Sequence, residues 1–238
     1  MPLKQKDAIV ASNGMIPQCI GIILDGNRRW AQNKGVSIFE GHKAGSEKLK
    51  EVFSWVKDAG VKTLIVYAFS TENWGRSPEE VSDLLNLFRN AIKNEMDSFK
   101  DASTRIRFVG DIQKFPKDLQ DMIVSVEEET KSNIGVTLVV CLSYGGRAEI
   151  LNATEKLLKE GRTSVSEADF EKHLWTAGIS DPDMIIRTGG EKRLSGFLTW
   201  QSVYSELFFA DTLWPDFSKK EFEKMIAEFS ERERRHGK

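Results

Sequence analysis

This sequence has few cysteines, no long apolar run and almost no charge excess, and each shortage excludes a class of protein. The two cysteines, Cys19 and Cys141, provide neither a disulfide framework nor a zinc-binding spacing. Thirty-four basic and 36 acidic residues give a net charge of -2, which disfavours a nucleic-acid partner. The apolar runs are about one strand long, whereas a bilayer-spanning helix needs ~20 apolar residues. We therefore expect a cytoplasmic protein that contacts membranes at most peripherally.

Short runs of β-branched and aromatic residues do occur, and most of them are apolar throughout. Such runs are typical of strands that are buried on both faces of a parallel sheet. The predicted strands are 20–24, 63–69, 106–109, 136–142, 184–187 and 207–210. Helical patterns lie between them, at 41–59, 78–99, 116–131, 146–159 and 166–175, with a terminal helix after Ser218.

The alternation of these strands and helices predicts an α/β fold with a central, mostly parallel six-stranded sheet flanked by helices. No linker or repeat interrupts the pattern, so we expect one domain over residues 1–238, with a loose amino-terminal segment at 1–17. The clearest helix has a marked start, because Ser77 can cap it, Pro78 suits its first turn and Glu80 can complete a capping box.

Polar loops rich in glycine and arginine follow four of the predicted strands. Ligands of open parallel sheets bind beyond the carboxyl ends of the strands, so these loops should meet in one crevice. Arginine forks and glycine backbones suit phosphate groups, and a carboxylate among such cations is best explained as a ligand of Mg2+ that bridges to a diphosphate. The loops read DGNRRW from Asp25, STENWGR from Ser70, SYGGR from Ser143 and RTGGEKRLS from Arg187.

Three common phosphate-binding motifs are missing from the sequence. It has no G-x-x-x-x-G-K-[ST] loop for nucleoside triphosphates and no G-x-G-x-x-G after the first strand. It also has no D-D-x-x-D pair, the motif with which trans-type prenyl synthases hold magnesium. A kinase, a dinucleotide-dependent oxidoreductase and a trans-prenyl synthase are therefore all disfavoured.

Seven sequence blocks occur in an order that chance would rarely produce. They are DGNRRW from Asp25, GHKAG from Gly41, YAFSTENW from Tyr67, RTGGE from Arg187, WQ from Trp200, YSE from Tyr204 and LWPDF from Leu213. In these blocks the chain resembles the cis-prenyltransferases, the undecaprenyl diphosphate synthase family, from about Ile20 to the carboxyl end.

The resemblance implies an Mg2+-dependent transferase that extends an allylic diphosphate, expected to be farnesyl diphosphate, with isopentenyl diphosphate in cis configuration. The product would be a polyprenyl diphosphate, and the enzyme would be a homodimer. In this family the growing chain enters an apolar tunnel between the sheet and two helices. The helix Pro78–Phe99 is our candidate for one wall of that tunnel.

The resemblance also implies roles for individual residues. Asp25 would bind Mg2+ and help the allylic diphosphate to leave, and Glu206 resembles a second carboxylate near the metal. The family places Asn73 at the proton-transfer step. Because an amide is a poor base, we expect Asn73 to orient the substrate while a diphosphate oxygen takes the proton. The expected substrate-binding residues are Gly26, Asn27, Arg28, Arg29, Trp30, His42, Ser70, Thr71, Glu72, Trp74, Arg76, Arg187, Arg193, Leu194 and Ser195, and the last group (Arg187, Arg193, Ser195) would grip isopentenyl diphosphate.

Some alternatives stay open at this stage. Glu206 could pair with an arginine instead of a metal ion, and tryptophans such as Trp74 more often pack in a core. Ile38 stands where members of the family commonly have an arginine that contacts the allylic diphosphate. This difference motivates a second hypothesis, a non-catalytic subunit that supports a true synthase. Arg235 begins a segment that resembles a motif reaching into the partner's site.

Overall fold

The computed structural model describes residues 15–99 and 104–232 and places a six-stranded sheet at the centre of the chain. Its strand order is β3-β4-β2-β1-β5-β6, and every strand pairing is parallel. The predicted α/β class is confirmed. The sequence predicts a mostly parallel sheet, and over the described residues the sheet is entirely parallel. The strands are β1 (Cys19–Ile23), β2 (Thr63–Ser70), β3 (Arg105–Val109), β4 (Thr137–Tyr144), β5 (Met184–Arg187) and β6 (Glu206–Phe209).

The helices fall where the apolar periodicity places them, with two differences. The stretch after Asp25, which the sequence leaves as helix or loop, is a helix. The helix predicted for 166–175 ends early: the His173 and Leu174 N–H groups donate to carbonyls three residues back, and the Asp169 carbonyl contacts the His173 Nδ1 at 2.8 Å instead. The helices are α1 (Asn27–Lys34), α2 (Ile38–Asp58), α3 (Pro78–Phe99), α4 (Lys117–Thr130), α5 (Gly146–Lys159), α6 (Glu167–Glu171) and α7 (Lys219–Glu231).

Alternate residues of the strands bury opposite faces of the sheet, as the two-residue period of a strand requires. On one face, Ile20, Leu64 and Ile186 pack in a cluster with side chains of α2 and α7. On the other face, Ile65 and Ile185 pack with a different set of buried side chains. Burial on both faces explains why these strands read as apolar runs.

The strand register fixes where the loops meet. Ile23 at the end of β1 is level with Tyr67 of β2 and with Arg187 of β5. The loops that leave β1, β2 and β5 therefore lie together beyond the carboxyl ends of these three neighbouring strands.

Two glycines of α2 allow it to lie directly against α1. A Cβ at Gly41 would be 2.4 Å from the carbonyl oxygen of Asn27, and one at Gly45 would be 2.3 Å from the Asn27 Oδ1. This close approach brings the first turns of α2 to the loop that follows β1.

Two predictions concern the ends of the chain. Of the segment 1–17, residues 1–14 lie outside the described residues; Ile16 packs against the core and Pro17 is buried. The Arg235 motif also lies outside the described residues. Within residues 15–99 and 104–232, no helix has the length and apolar character needed to cross a membrane.

Candidate active site

Asp25 lies at the carboxyl end of β1 and is held by contacts from two directions. Its Oδ2 accepts a hydrogen bond from Arg187 Nη2 at 2.8 Å, and its Oδ1 accepts one from Arg29 Nη2 at 3.2 Å. Its backbone carbonyl accepts from Thr188 Oγ1 at 2.8 Å and from the Trp214 N–H at 3.0 Å. The carboxylate keeps 28% exposure, so it faces the crevice in a fixed orientation.

Gly26 makes the sharp turn between Asp25 and α1. Its φ is +118°, and a Cβ there would lie 2.9 Å from the Leu213 Cα, so a larger residue would be both strained and crowded. Helix α1 begins at the next residue, which directs the free N–H groups of its first turn toward the crevice. The indole N–H of Trp30, by contrast, donates to Asp216 Oδ1 at 2.8 Å and anchors α1 to the carboxyl-terminal part of the chain.

Arg187 ties Asp25 to the loop that follows β5. Its side chain is only 5% exposed, and Nη1 donates to the Ser195 Oγ at 2.9 Å and to the Arg193 carbonyl. Gly189 lets this loop approach, because a Cβ there would be 2.6 Å from Arg29 Nη2. The predicted neighbours Asp25, Arg29, Arg187 and Ser195 are therefore brought together. The Arg193 side chain pairs with Glu191 at the exposed rim, and Leu194 packs against the core below.

The loop after β2 is a 3-10 helix, Thr71–Gly75, whose polar side chains are engaged by its own backbone. The Asn73 Oδ1 accepts the Ser70 N–H at 3.0 Å, and the Ser70 hydroxyl accepts from the backbone of Asn73 in return. Trp74 donates its indole N–H to the Ser143 Oγ at 3.0 Å, and its ring packs edge-on against Phe69. Trp74 thus serves core packing, while Thr71 and Glu72 line the outer part of the loop.

The buried carboxylate of Glu80 lies within 4 Å of nitrogen atoms from three side chains of the site. It is 8% exposed, and its Oε1 lies 2.9 Å from Arg76 Nη1, 3.3 Å from His42 Nε2 and 3.8 Å from Arg28 Nε. Burial lowers the pKa of His42, and the nearby Glu80 carboxylate only partly offsets this effect. Burial likewise lowers the pKa of the Arg76 guanidinium, against the attraction of Glu80.

The sequence pattern does not predict this role of Glu80. The backbone N–H of Glu80 does bond to the Ser77 Oγ at 3.3 Å, as a cap requires. Its side chain, however, turns to the cations instead of completing the predicted capping box. One signal was available: Glu80 lies four residues before Leu84, on the stripe of α3 that faces the core.

An apolar cavity of about 150 Å³ lies between the sheet, α2 and α3, and opens beside this cluster. His42 and Asn27 form its polar end, while the remaining lining is largely aliphatic and aromatic. The Asn27 Oδ1 is buried there without a hydrogen-bond partner among residues 15–99 and 104–232. Representative lining residues are Leu24, Leu49, Leu84, Phe88, Val140 and Leu142.

Within one copy of the chain, Glu206 does not lie near Asp25. It begins β6 and is level with Met184, three residues from the carboxyl edge, which corresponds to about 10 Å along a strand. Its Oε2 accepts from Arg232 Nη1 at 2.6 Å, the arginine contact left open as an alternative.

No group of three or more metal-ligating side chains occurs in the part of the chain that the structure describes. A lone carboxylate among arginines still fits Mg2+, which is often held by one or two carboxylates together with substrate phosphates and water. The crevice thus offers a charged site for phosphate groups at the mouth of an apolar cavity. This combination defines an enzyme for amphiphilic diphosphates.

Comparison with known proteins identifies the family. A family model described as "Putative undecaprenyl diphosphate synthase" matches residues 23–237, and the chain belongs to this prenyltransferase family. An isoprenyl transferase of Fusobacterium nucleatum subsp. nucleatum is 46% identical over 222 residues, which cover 93% of this chain and 96% of that protein. The chain is therefore a prenyltransferase, as the sequence blocks predict.

Solved structures agree on the fold. Lavandulyl diphosphate synthase from Lavandula x intermedia, in complex with dimethylallyl diphosphate, is 32% identical with a TM-score of 0.89, over 94% of this chain and 99% of that one. A "probable undecaprenyl diphosphate synthase" from Campylobacter jejuni is 29% identical with a TM-score of 0.79, over 93% and 99% of the two chains. The fold is that of the undecaprenyl diphosphate synthases.

Proposed function

We propose that this prenyltransferase extends farnesyl diphosphate with isopentenyl diphosphate in cis configuration, in an Mg2+-dependent reaction centred on Asp25. The observation that carries this proposal is the position of Asp25, whose carboxylate contacts Arg29 and Arg187 close to the apolar cavity. A diphosphate needs the charged groups, and a prenyl tail needs the cavity.

Two diphosphate subsites are proposed on either side of Asp25. The first comprises the amino terminus of α1, with Arg28 and Arg29, and the His42 and Arg76 side chains near the cavity mouth; it suits the allylic diphosphate. The second comprises Arg187, Arg193 and Ser195, and it suits isopentenyl diphosphate. Since Asp25 touches an arginine of each subsite, the two substrates would meet at its carboxylate.

The residues of the site match the charges that develop in the reaction. Breaking the allylic C–O bond leaves negative charge on the diphosphate, which Arg28, Arg29 and the α1 N–H groups would stabilise. A magnesium ion held by Asp25, substrate phosphate and water would supply further charge neutralisation at that point. The apolar cavity would exclude water from the developing cation. The isopentenyl double bond would then form the new carbon–carbon bond with the allylic cation, and a diphosphate oxygen would take the proton that the resulting cationic adduct loses. The Asn73 amide oxygen accepts the Ser70 N–H, so Asn73 would orient the loop.

The apolar cavity is proposed as the start of the tunnel for the growing chain. Its walls are the sheet, α2 and α3, so the helix Pro78–Phe99 would form one of the two helical walls. The polar end at His42 and Asn27 would hold the diphosphate end of the product, while each added isoprene unit moves the tail toward Phe88 and Val140.

We also propose that the active protein is a cytoplasmic homodimer of single-domain subunits that contacts membranes at most when product is released. Val203 and Tyr204, just before β6, are 73% and 65% exposed, and Leu207 within β6 is 38% exposed. Strand β6 is an edge of the sheet, with one neighbour among the described strands. An apolar edge of this kind is a natural contact surface between two copies.

A second function, a non-catalytic subunit, is favoured by one observation. Ile38, the first residue of α2, lies one helical turn before His42 and supplies no charge to the allylic subsite. Arg28 and Arg76 stand at the same subsite, beside Glu80, and can supply the missing charge. The catalytic proposal is therefore preferred.

The test is incubation of the purified protein with Mg2+, farnesyl diphosphate and radiolabelled isopentenyl diphosphate, followed by separation of the lipids by chain length. We expect a labelled polyprenyl diphosphate, and none when Mg2+ is removed by chelation. Product from the protein alone would exclude the non-catalytic subunit. Absence of product with farnesyl diphosphate and with shorter and longer allylic starters would contradict the catalytic proposal.

A further inference from the structure

Tyr67 of β2 places its hydroxyl between the end of β4 and the loop that follows β5. The phenol oxygen lies 3.1 Å from the carbonyl of Tyr144 and 3.4 Å from the carbonyl of Ser195. One side chain of β2 thus contacts both the end of β4 and the loop that follows β5.

The ring of Tyr67 is fixed by aromatic packing. It stacks on Phe197 with a centroid distance of 4.9 Å and an interplanar angle of 20°, and it meets the Tyr144 ring edge-on at 6.0 Å. Directly after Tyr67, the register of β2 against β4 shifts, a feature that often re-aims side chains next to active sites. Burial raises the pKa of the Tyr67 phenol, so it keeps its proton and can donate.

The loop that contains Ser195, whose carbonyl shares the phenol proton with the Tyr144 carbonyl, needs external support. Ser195 has a φ of +51° and Leu198 a φ of +46°, a region that residues with a side chain adopt only when their surroundings enforce it. The Tyr67 hydroxyl reaches the Ser195 carbonyl, and the Tyr67 ring packs on Phe197 between these two positions. The Ser195 Oγ in turn accepts from Arg187.

We infer that Tyr67 is a positioning residue for the isopentenyl diphosphate subsite: its hydroxyl and ring hold the backbone at Ser195, and so set the Ser195 hydroxyl beside Arg187. This inference rests on the proposed function, which assigns Ser195 and Arg187 to isopentenyl diphosphate. Tyr67 itself would not contact substrate. Its effect should therefore depend on the Ser195 side chain and should be selective for one of the two substrates.

The test is Tyr67→Phe, which removes the hydroxyl and keeps the ring stacked on Phe197. Losing one neutral hydrogen bond should raise the KM for isopentenyl diphosphate about 3- to 10-fold. The KM for the allylic diphosphate and the midpoint of thermal unfolding should stay near the wild-type values. Ser125→Ala, which removes one exposed side-chain hydroxyl of α4 that bonds only to Glu129 among the described residues, is the control and should alter neither KM. An unchanged KM for isopentenyl diphosphate, or an equal rise in both KM values, would overturn the inference.

Ser195→Ala separates this inference from the proposed function. Ser195→Ala alone should raise the KM for isopentenyl diphosphate, and adding Tyr67→Phe to it should change that KM by less than about 2-fold, because coupled positions are not additive. If Ser195→Ala leaves the KM unchanged, the proposed subsite is wrong. Suppose instead that Ser195→Ala raises the KM for isopentenyl diphosphate, and that Tyr67→Phe raises it by the same factor whether or not Ser195 is present. The proposed subsite is then supported, and the positioning role of Tyr67 is wrong.

Discussion

At the scale of single residues, the protonation of His42 matters, because its side chain is only 10% exposed and lies beside Glu80. Burial lowers the pKa of His42 below its ordinary value, although its Nε2 lies 3.3 Å from a carboxylate oxygen of Glu80. The cations Arg76 and Arg28 surround the same oxygen and further disfavour a positive charge on the ring. His42 is thus held neutral near pH 7, as a hydrogen-bonding group next to the α1 phosphate site.

His42 should make the fold sensitive to mild acid. Because its pKa is lower in the folded than in the unfolded chain, the unfolded chain binds a proton first as pH falls through about 6.5, and acid favours unfolding. We expect the free energy of unfolding of His42→Gln to fall less than that of the wild type between about pH 7 and pH 5. Urea denaturation at a series of pH values measures this difference.

His173 provides the matched control, because its pKa is shifted in the opposite direction. A hydrogen bond to Glu160 raises the pKa of His173 above its ordinary value of 6.5, so protonation of His173 stabilises the folded chain as pH falls toward 6.5. His173→Gln should lack this gain, whereas the effect of His42→Gln should appear below about 6.5. Equal pH dependence for the wild type and His42→Gln would contradict a neutral His42.

At the scale of elements, the apolar runs and the helical stripe of α3 are predictable from the sequence because they report burial directly. The early end of the 166–175 helix is not, since it coincides with the His173 ring contacting both the Asp169 carbonyl and the Glu160 carboxylate of the preceding helix end. The packing of α1 on α2 likewise arises from tertiary contact: Gly41 reads as part of a motif, and only the fold shows that it faces the Asn27 carbonyl.

Gly41→Ala tests this helix contact. The added Cβ would lie 2.4 Å from the Asn27 carbonyl oxygen and 2.9 Å from the Ala31 Cβ, so α1 must shift. We expect this overpacking to cost about 2–3 kcal/mol of unfolding free energy, because a backbone oxygen must move, and helix propensity to return ~1 kcal/mol, so Gly41→Ala should be about 1–2 kcal/mol less stable than the wild type. Urea denaturation measures the change.

Gly75→Ala is the control for that experiment. A Cβ at Gly75 would have no heavy neighbour within 4 Å, and its φ is not in the left-handed region. This variant should be as stable as the wild type or slightly more stable. Gly41→Ala with wild-type stability would show that α1 and α2 are packed more loosely than described.

At the scale of the whole molecule, the order of the sequence blocks predicts the family, and the strand-end loops predict which residues meet. Asp25, Arg29, Arg187 and Ser195 could be placed together because parallel strands end at one edge. Glu80 could not, because its role depends on the distance between α2 and α3. A sequence motif can identify the residues of one loop, whereas a contact between two helices can be identified only from the folded structure.

The proposed dimer also belongs to this scale, and Val203→Glu tests it. A charge at a position that is 73% exposed should leave the fold intact but should repel a second copy across the apolar β6 edge. Light scattering should give twice the 27.0 kDa chain mass for the wild type and the single chain mass for Val203→Glu.

Ile134→Glu is the control, since Ile134 is 96% exposed and precedes β4, away from β6. It should remain a dimer. A wild-type protein of single chain mass, or a Val203→Glu protein that stays dimeric, would contradict a dimer formed at this edge.

The most direct test of the account is the turnover of Asp25→Ala with both diphosphates and Mg2+. We expect a loss of ~100-fold or more, because the lone carboxylate that joins the two subsites is removed. Asp58→Ala, at the far end of α2, should keep wild-type turnover and shows that losing an acidic residue alone has no effect. Near-normal turnover of a folded Asp25→Ala protein would contradict a reaction centred on Asp25.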